Sequence, residues 1–210
     1  MNSITSDLGD MSDVEPFTSF QEDPNNLGFE KDSFKIASLN VNSLLCQQRI
    51  SQVESIMKLN NFSVFCLQEV KISETTSPTC YQIDGFNAFA KPRTSRGGGL
   101  ISYVRSDLVS RQLSNLECKS ETLEHIVLEV FCQNKRILIN NFYRPPSGDK
   151  TTFLENLSST LETIKNNKGW VTCCLGDLNM GNQYCFYNSL NVKPIDHQGC
   201  QIFENFNFIV

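Results

Sequence analysis

The stretch WVTCCLGDLN, at residues 170–179, sets an apolar run directly before a polar turn. Residues 170–175 have the pattern of a strand that is covered on both faces of its sheet. Asp177 and Asn179 follow this run, so both side chains can point into a pocket at the edge of that sheet. A Gly-Asp turn alone is more often an ordinary turn. Its meaning therefore depends on what ends the other predicted strands.

Four further short motifs carry polar residues at the ends of predicted strands. In chain order they are SLN at 38–40, CLQE at 66–69, RGGG at 96–99 and NFYRPP at 141–146. Alternating or continuous apolar residues predict the strands themselves, at 34–39, 64–67, 86–90, 100–104, 124–131 and 136–142. We expect one pocket at one edge of the sheets to collect the side chains of Asn40, Glu69, Tyr143, Asp177 and Asn179.

Helices are predicted where apolar residues recur at helical spacing. The first has Ile50, Val53, Ile56 and Met57, and the second has Phe153, Leu154, Leu157, Leu161 and Ile164. Thr152 and Glu155 form a capping box for the second helix, which ends near Gly169. A last helix capped by Asp196 and a strand at 206–210 are also expected. Strands mixed with few helices favour an α/β sandwich of two packed mixed sheets with helices outside.

The charge of the chain is unevenly distributed. Residues 1–33 hold eight acidic residues and one basic residue, a net charge of −7, whereas residues 34–210 carry +2. We predict a disordered acidic tail at 1–33 and one folded domain at 34–210, and we expect removal of the tail to leave the folding of that domain unchanged. A mildly basic body permits a polyanionic partner without demanding one.

Cysteine usage and hydropathy bear on the compartment. The chain has nine cysteines but no Cys-x-x-Cys pair, and most of them lie in apolar runs, which favours buried free thiols over disulfides or zinc ligands. There is neither an apolar signal region at the N-terminus nor an apolar run of 18 residues. These features predict an intracellular protein that is not secreted, and a nuclear location is compatible with them.

In this order, the five motifs resemble the endonuclease/exonuclease/phosphatase superfamily, and most closely the endonuclease domain of LINE-type (non-LTR) retrotransposons. The resemblance covers about residues 34–210 and implies a four-layer α/β sandwich. It also implies a hydrolase that nicks DNA by phosphodiester hydrolysis with Mg²⁺ or Mn²⁺. DNA is then the expected partner, and no membrane or obligate protein partner is expected.

Two residues are implied as metal ligands. By resemblance, Glu69 of the Gln-Glu motif binds the cation, and Asn40 helps to set both the metal and the phosphate. The chemistry agrees, because phosphodiester hydrolysis needs a charge that neutralises the developing negative charge, and Mg²⁺ is held by few carboxylates plus waters.

The resemblance gives the other motif residues roles around the phosphate. Asp177 orients the nucleophile or serves the leaving group, and Asn179 donates to the phosphoryl oxygens. Tyr143 offers a phenolic donor. Arg144 and Arg96 are the predicted substrate-binding cations, the first beside Tyr143 and the second in the glycine motif.

One catalytic group of the superfamily is missing from the sequence. Those enzymes place a general-base His, preceded by Asp, on a last strand well beyond the Gly-Asp-x-Asn turn, whereas this chain stops at Val210. His125 lies in an apolar strand pattern and is predicted to be a packed or edge-strand residue. Asp196 lies only 17 residues after Asn179, and the Asp196-His197 pair precedes a predicted helix. We therefore do not assign His197 as the base. A domain incomplete at its C-terminus, with weakened or no activity, is therefore expected.

Two other functions fit the same residues. One is a phosphatase or phosphodiesterase of the same superfamily that acts on a small molecule or a lipid headgroup. The other is a noncatalytic remnant that at most binds nucleic acid. The YRPP and RGGG stretches favour the retroelement branch by resemblance.

Overall fold

Two four-stranded sheets and two helices make up the body of the protein, described here by a computed structural model. The structure describes residues 34–166 and 171–179, and the backbone of 186–188 and 191–193. The elements are β1 (Ile36–Asn40), α1 (Gln47–Leu59), β2 (Val64–Gln68), β3 (Phe86–Lys91), β4 (Leu100–Arg105), β5 (Val109–Gln112), β6 (Glu124–Cys132), β7 (Lys135–Tyr143), α2 (Lys150–Lys165), β8 (Val171–Asp177), β9 (Phe186–Asn188) and β10 (Asn191–Lys193).

Both sheets are mixed. The first sheet has the strand order β1-β2-β4-β3, with β1 parallel to β2 and the other neighbours antiparallel. The second sheet has the order β5-β6-β7-β8, with β7 parallel to β8 and the other neighbours antiparallel. Strands β9 and β10 form a separate antiparallel pair.

Three hydrophobic clusters lie between successive layers. Met57 of α1 packs on Leu67 and Tyr103 of the first sheet. Cys66 and Val104 of the first sheet pack against a cluster from the second sheet that includes Ile126, Leu128 and Ile139. The other face of the second sheet packs on α2, through a cluster that includes Val127, Phe142, Phe153 and Leu161. The predicted four-layer α/β sandwich is therefore confirmed.

The second helix begins differently from the prediction. Asp149, not Thr152, is the N-cap, and its side chain accepts a hydrogen bond from the Thr152 N–H at 2.7 Å. This bond is the first cause of the lowered pKa of the Asp149 carboxyl. Because the helix starts at Lys150, Thr152 occupies the third helical position and supplies the donor instead of the cap. The helix ends at Lys165, with Asn166 as its C-cap, before the predicted end.

The other differences from the predicted helices and strands are at β5 and in the last part of the chain. Strand β5 was not predicted, because its sequence VSRQ has no apolar run and its side chains are exposed or half-buried. The pair β9 and β10 was not predicted either. The expected helix after Asp196 and the strand at 206–210 lie outside the described residues.

The cysteines in the described residues are free thiols. Cys66 and Cys174 are buried, as predicted, whereas Cys46 and Cys80 are exposed. Burial raises the pKa of the Cys66 thiol to about 12, so this sulfur stays protonated and behaves as a core side chain. No helix in the described part of the chain is long and apolar enough to span a membrane.

Candidate active site

Strand periodicity positions four polar side chains at the junction of the two sheets. Strands β1, β2, β7 and β8 end at Asn40, Gln68, Tyr143 and Asp177. In each strand, residues two or four positions before the end pack in the cluster between the sheets. They include Ile36, Cys66, Ile139 and Cys173. Since strand side chains alternate with a period of two, the terminal residues lie on the same inner faces.

Asn40 bridges two carboxylates that come from different sheets. Its Nδ2 donates to Glu69 Oε1 at 3.0 Å and to Asp177 Oδ2 at 2.8 Å. The Tyr143 hydroxyl donates to the same Glu69 Oε1 at 3.0 Å. The structure thus brings together Asn40, Glu69, Tyr143 and Asp177, as their strand-end positions predicted.

Glu69 follows β2 in a left-handed backbone conformation, with φ of +53°. Lys71 has φ of +55°, and such conformations cost a non-glycine residue roughly 1–2 kcal/mol. Hydrogen bonds hold this segment in place, from Val70 N to Gly99 O at 3.2 Å and from Lys71 N to Gly98 O at 2.9 Å. Unfavourable backbone geometry of this kind persists where the surroundings fix it, and it clusters at functional sites.

The glycine motif lies beside this segment. Gly99 N donates to Glu124 Oε2 at 2.7 Å, and Arg93 donates to Glu124 Oε1 at 2.9 Å. A Cβ added to Gly98 would lie 2.4 Å from Glu124 Oε1, and the φ of Gly98 is +73°, a conformation that favours glycine. Arg96 lies on the turn before these glycines and is exposed. The structure therefore places Arg96 near the Glu69 segment, and its contact with substrate stays a prediction.

Arg144 and Asn179 lie next to the carboxylates but turn toward each other. Asn179 N donates to Asp177 Oδ1 at 3.0 Å, and Asn179 Nδ2 donates to Arg144 O at 2.7 Å. The Arg144 guanidinium is buried and donates to main-chain carbonyls. The predicted contacts of both side chains with phosphate stay predictions.

A buried polar network that was not predicted joins the two sheets behind the site. Gln68 Nε2 donates to Asn141 Oδ1 at 2.6 Å, and Asn141 Nδ2 donates to Ser102 Oγ at 3.1 Å. Ser38 Oγ donates to Gln68 Oε1 at 3.2 Å. Two adjacent asparagines inside the apolar run of β7 were the signal for this network, since a buried amide needs partners. The network fixes the strand ends of one sheet against those of the other.

Burial and negative neighbours act on the Tyr143 hydroxyl. Burial first, and then its hydrogen bond to Glu69 and the charges of Glu69, Glu124 and Asp177, raise the pKa of Tyr143 well above its usual value. The hydroxyl therefore stays protonated at neutral pH and can act only as a donor to an anionic neighbour. Burial likewise raises the pKa of Glu124, against the hydrogen bonds from Gly99 and Arg93.

His125 lies away from the carboxylates, on the face of β6 that packs against α2. Its ring stacks on Phe142 with the centroids 4.2 Å apart. Nδ1 accepts from the Cys118 N–H at 3.2 Å, so Nε2 carries the proton and donates to Asn140 Oδ1 at 3.1 Å. The packed role predicted for His125 is confirmed, and His197 lies outside the described residues.

We expect protonation of His125 to destabilise the fold in acid. Burial, aided by the charge of Lys91 and opposed by the Asn140 bond, lowers the pKa of His125 from 6.5 to about 3. The unfolded chain then binds more protons between these two values, so the free energy of unfolding falls as the pH falls, by about 1.4 kcal/mol per pH unit from this group.

Urea unfolding of the wild type and of His125→Phe at several pH values between about 4 and 6.5, the ordinary pKa of histidine, measures this contribution. The phenylalanine variant should be less stable at neutral pH, because Asn140 and the Cys118 N–H lose a partner. Its stability should nevertheless fall less steeply in acid. Equal slopes for the two proteins would contradict the assignment.

The oxygen atoms at the site fit a hard divalent cation. Among the described residues, the two hydrogen bonds that the Glu69 carboxylate accepts both fall on Oε1, and Asn40 Oδ1 accepts one bond, from Asn42 N at 3.0 Å. Glu69 Oε2 and the second lone pair of Asn40 Oδ1 are therefore the candidate ligands. Residues 34–166 and 171–179 contain no cluster of three His, Cys, Asp or Glu side chains. A sparse oxygen set of this kind suits Mg²⁺, which keeps several waters.

The two mixed sheets and the flanking helices define the fold. The chain has the fold of the endonuclease/exonuclease/phosphatase superfamily, whose members are its structural neighbours at low sequence identity. No protein-family model matches the sequence, and no curated protein matches it.

Three solved structures illustrate the likeness. The endonuclease domain of TRAS1, a telomere-specific non-LTR retrotransposon, has 14% identity and a TM-score of 0.54 over 83% of this chain and 71% of that chain. An AP endonuclease from Archaeoglobus fulgidus has 17% identity and a TM-score of 0.56 over 83% and 70%. The 3′ phosphatase NExo from Neisseria, bound to product DNA hairpin, has 20% identity and a TM-score of 0.51 over 70% and 58%. At these identities the likeness shows the fold.

Proposed function

We propose that the protein is a DNA-nicking endonuclease of the retroelement type, which hydrolyses a phosphodiester bond with the help of Mg²⁺ or Mn²⁺. One observation carries the proposal: the Asn40 amide joins the carboxylates of Glu69 and Asp177 across the two sheets. The proposal assigns the activity to residues 34–210 and leaves the acidic segment 1–33 outside it. Action on DNA implies an intracellular, nuclear location.

In this proposal Glu69 and Asn40 would hold the cation, which when bound supplies positive charge to the developing negative charge on the phosphate. Tyr143 donates its proton in a hydrogen bond and keeps it, because its pKa is raised. Asp177 orients the attacking water by accepting a hydrogen bond from it, or, with a proton taken from that water, protonates the leaving oxygen. Asn179, next to it, donates to a phosphoryl oxygen.

The choice of DNA rests on the surroundings of the carboxylates. Arg96 is exposed on the glycine turn, and Lys71 lies two residues after Glu69, where its Nζ donates to Asn42 Oδ1. Two cations beside a phosphodiesterase site would hold the nucleic-acid backbone. The likeness to a retrotransposon endonuclease and to a phosphatase bound to DNA supports the same substrate.

Incubation of the protein with supercoiled plasmid, with Mg²⁺, Mn²⁺ or EDTA, tests the proposal. We expect open-circular plasmid with either metal and none with EDTA. Hydrolysis of phosphorylated small molecules without nicking would instead indicate the phosphatase alternative. Binding of plasmid without hydrolysis of either substrate would indicate a noncatalytic remnant.

A further inference from the structure

Arg144 is a buried cation whose donors are used by the protein itself. Its side chain is 7% exposed, and the guanidinium lies over the ring of Phe153, 5.2 Å from the centroid. Nη1 donates to Asn179 O at 2.7 Å, and Nη2 donates to Gly148 O at 2.9 Å. Nε is buried without a hydrogen-bond partner among the described residues.

The main chain of Arg144 binds the same turn. Arg144 N donates to Asp177 O at 2.9 Å, and Arg144 O accepts from Asn179 Nδ2 at 2.7 Å. Asn179 is thus held by Arg144 at both its carbonyl and its side-chain amide. Its N–H is held by Asp177 Oδ1, and its φ of +47° is a left-handed conformation that asparagine adopts more readily than most residues.

A guanidinium suits this task because its donors have fixed directions in one plane. Nη1 and Nη2 reach two carbonyl oxygens that belong to different segments, whereas the ammonium of a lysine is a single point donor. Burial of the charge costs free energy unless its donors are satisfied. Two carbonyls and the face of Phe153 offset part of that cost, and these contacts leave the guanidinium directed into the protein.

We propose that Arg144 is a positioning residue that holds the Asp177–Asn179 turn in its working conformation and does not itself bind phosphate. This inference rests on the proposed function, and it replaces the direct substrate contact expected for Arg144 from the sequence. Arg144 therefore acts on the rate of hydrolysis through Asn179 and Asp177, while Arg96 remains the candidate phosphate contact.

Kinetics of Arg144→Lys on plasmid separate positioning from substrate binding. We expect kcat to fall about 10²-fold, as for a small misplacement of reacting groups, with KM for plasmid unchanged. Arg144→Gln, which removes the charge, should also keep the slope of DNA affinity against salt, whereas loss of one phosphate contact lowers that slope by about 0.9. Arg136→Lys, at the opposite end of β7, is the matched control and should leave both constants unchanged.

A double variant tests whether Arg144 acts through Asn179. If it does, Arg144→Lys combined with Asn179→Ala should lose no more activity than the more impaired single variant. Full additivity of the two losses, or a raised KM with a reduced salt slope and an unchanged kcat for Arg144→Gln, would overturn the proposal.

Amide hydrogen exchange over residues 171–179 gives a readout that does not need activity. Arg144→Lys should speed exchange of the Asn179 N–H, and Arg144→Gln should do the same if the lysine variant does not fold. Unchanged exchange in a folded variant would overturn the positioning role even if the wild type nicks DNA. Faster exchange in a wild type that does not nick would leave the positioning of the turn intact and reject the proposed function alone.

Discussion

The substitution Gly176→Ala should prevent stable folding of the domain. A Cβ at this position would lie 1.9 Å from the carbonyl oxygen of Phe142 and 2.8 Å from its nitrogen, and the φ of Gly176 is +141°. Gly176 and Phe142 are direct partners on the parallel strands β8 and β7. Because backbone atoms cannot yield as a flexible side chain can, β8 must leave its place. We expect a loss above about 4 kcal/mol in the free energy of unfolding.

Urea unfolding followed by circular dichroism measures this loss. The matched control is Gly97→Ala, where an added Cβ meets no atom within 4 Å and the change should stay within about 0.5 kcal/mol. A Gly176→Ala protein as stable as the control would show that β8 does not pack on β7 as described. The same substitution should displace Asp177, so any folded fraction should also lack activity.

Glu69→Gln should abolish metal-dependent nicking while the domain stays folded. Glutamine keeps an acceptor oxygen for Asn40 and Tyr143, which both bond to Oε1. It replaces Oε2, the candidate cation ligand, with an amide nitrogen that carries protons and no charge. We expect a loss of about 10³-fold in rate, the size found when one preorganised electrostatic group is removed.

The measurement is the initial rate of plasmid nicking with Mg²⁺, together with the urea midpoint of each protein. Glu54→Gln serves as control, since Glu54 pairs with Lys58 on the surface of α1, and this substitution should leave the rate unchanged. Asp177→Asn should also abolish nicking, whereas His125→Ala and His197→Ala should change the rate little. Nicking by Glu69→Gln at the wild-type rate would remove Glu69 from the metal site.

The layers and the place of the site followed from local patterns in the sequence. Strand side chains alternate with a period of two, and an apolar run precedes Asp177. Together these patterns predicted where β8 ends and on which face of the sheet Asp177 lies. The same reasoning applied to Asn40 and Tyr143. Parallel neighbours end at the same edge of a sheet, as β1 and β2 do and as β7 and β8 do. The meeting of the two sheets at one site depends instead on distant contacts, such as the bond from Asn40 to Asp177 across 137 positions. Strand β5 was not predicted, because an edge strand with the sequence VSRQ has no apolar pattern.

Contacts between residues far apart in the chain could not be predicted. The amide bond between Gln68 and Asn141 spans 73 positions, and no local pattern indicates which buried polar groups will pair. Arg144 follows a tyrosine in a loop motif, so its sequence suggests an exposed cation. Its burial depends on how α2 presents Phe153 and on where the turn after β8 lies, and both are tertiary features.

Each sheet is built from one continuous piece of chain, the first from residues 36–105 and the second from 109–177. Asn40 and Glu69 come from the first piece, and Tyr143 and Asp177 from the second. During synthesis on the ribosome, the whole of the first sheet therefore emerges while half of the residues of the candidate site are still unmade. A nascent or partly unfolded chain therefore lacks the complete candidate site, which forms only when the two sheets dock.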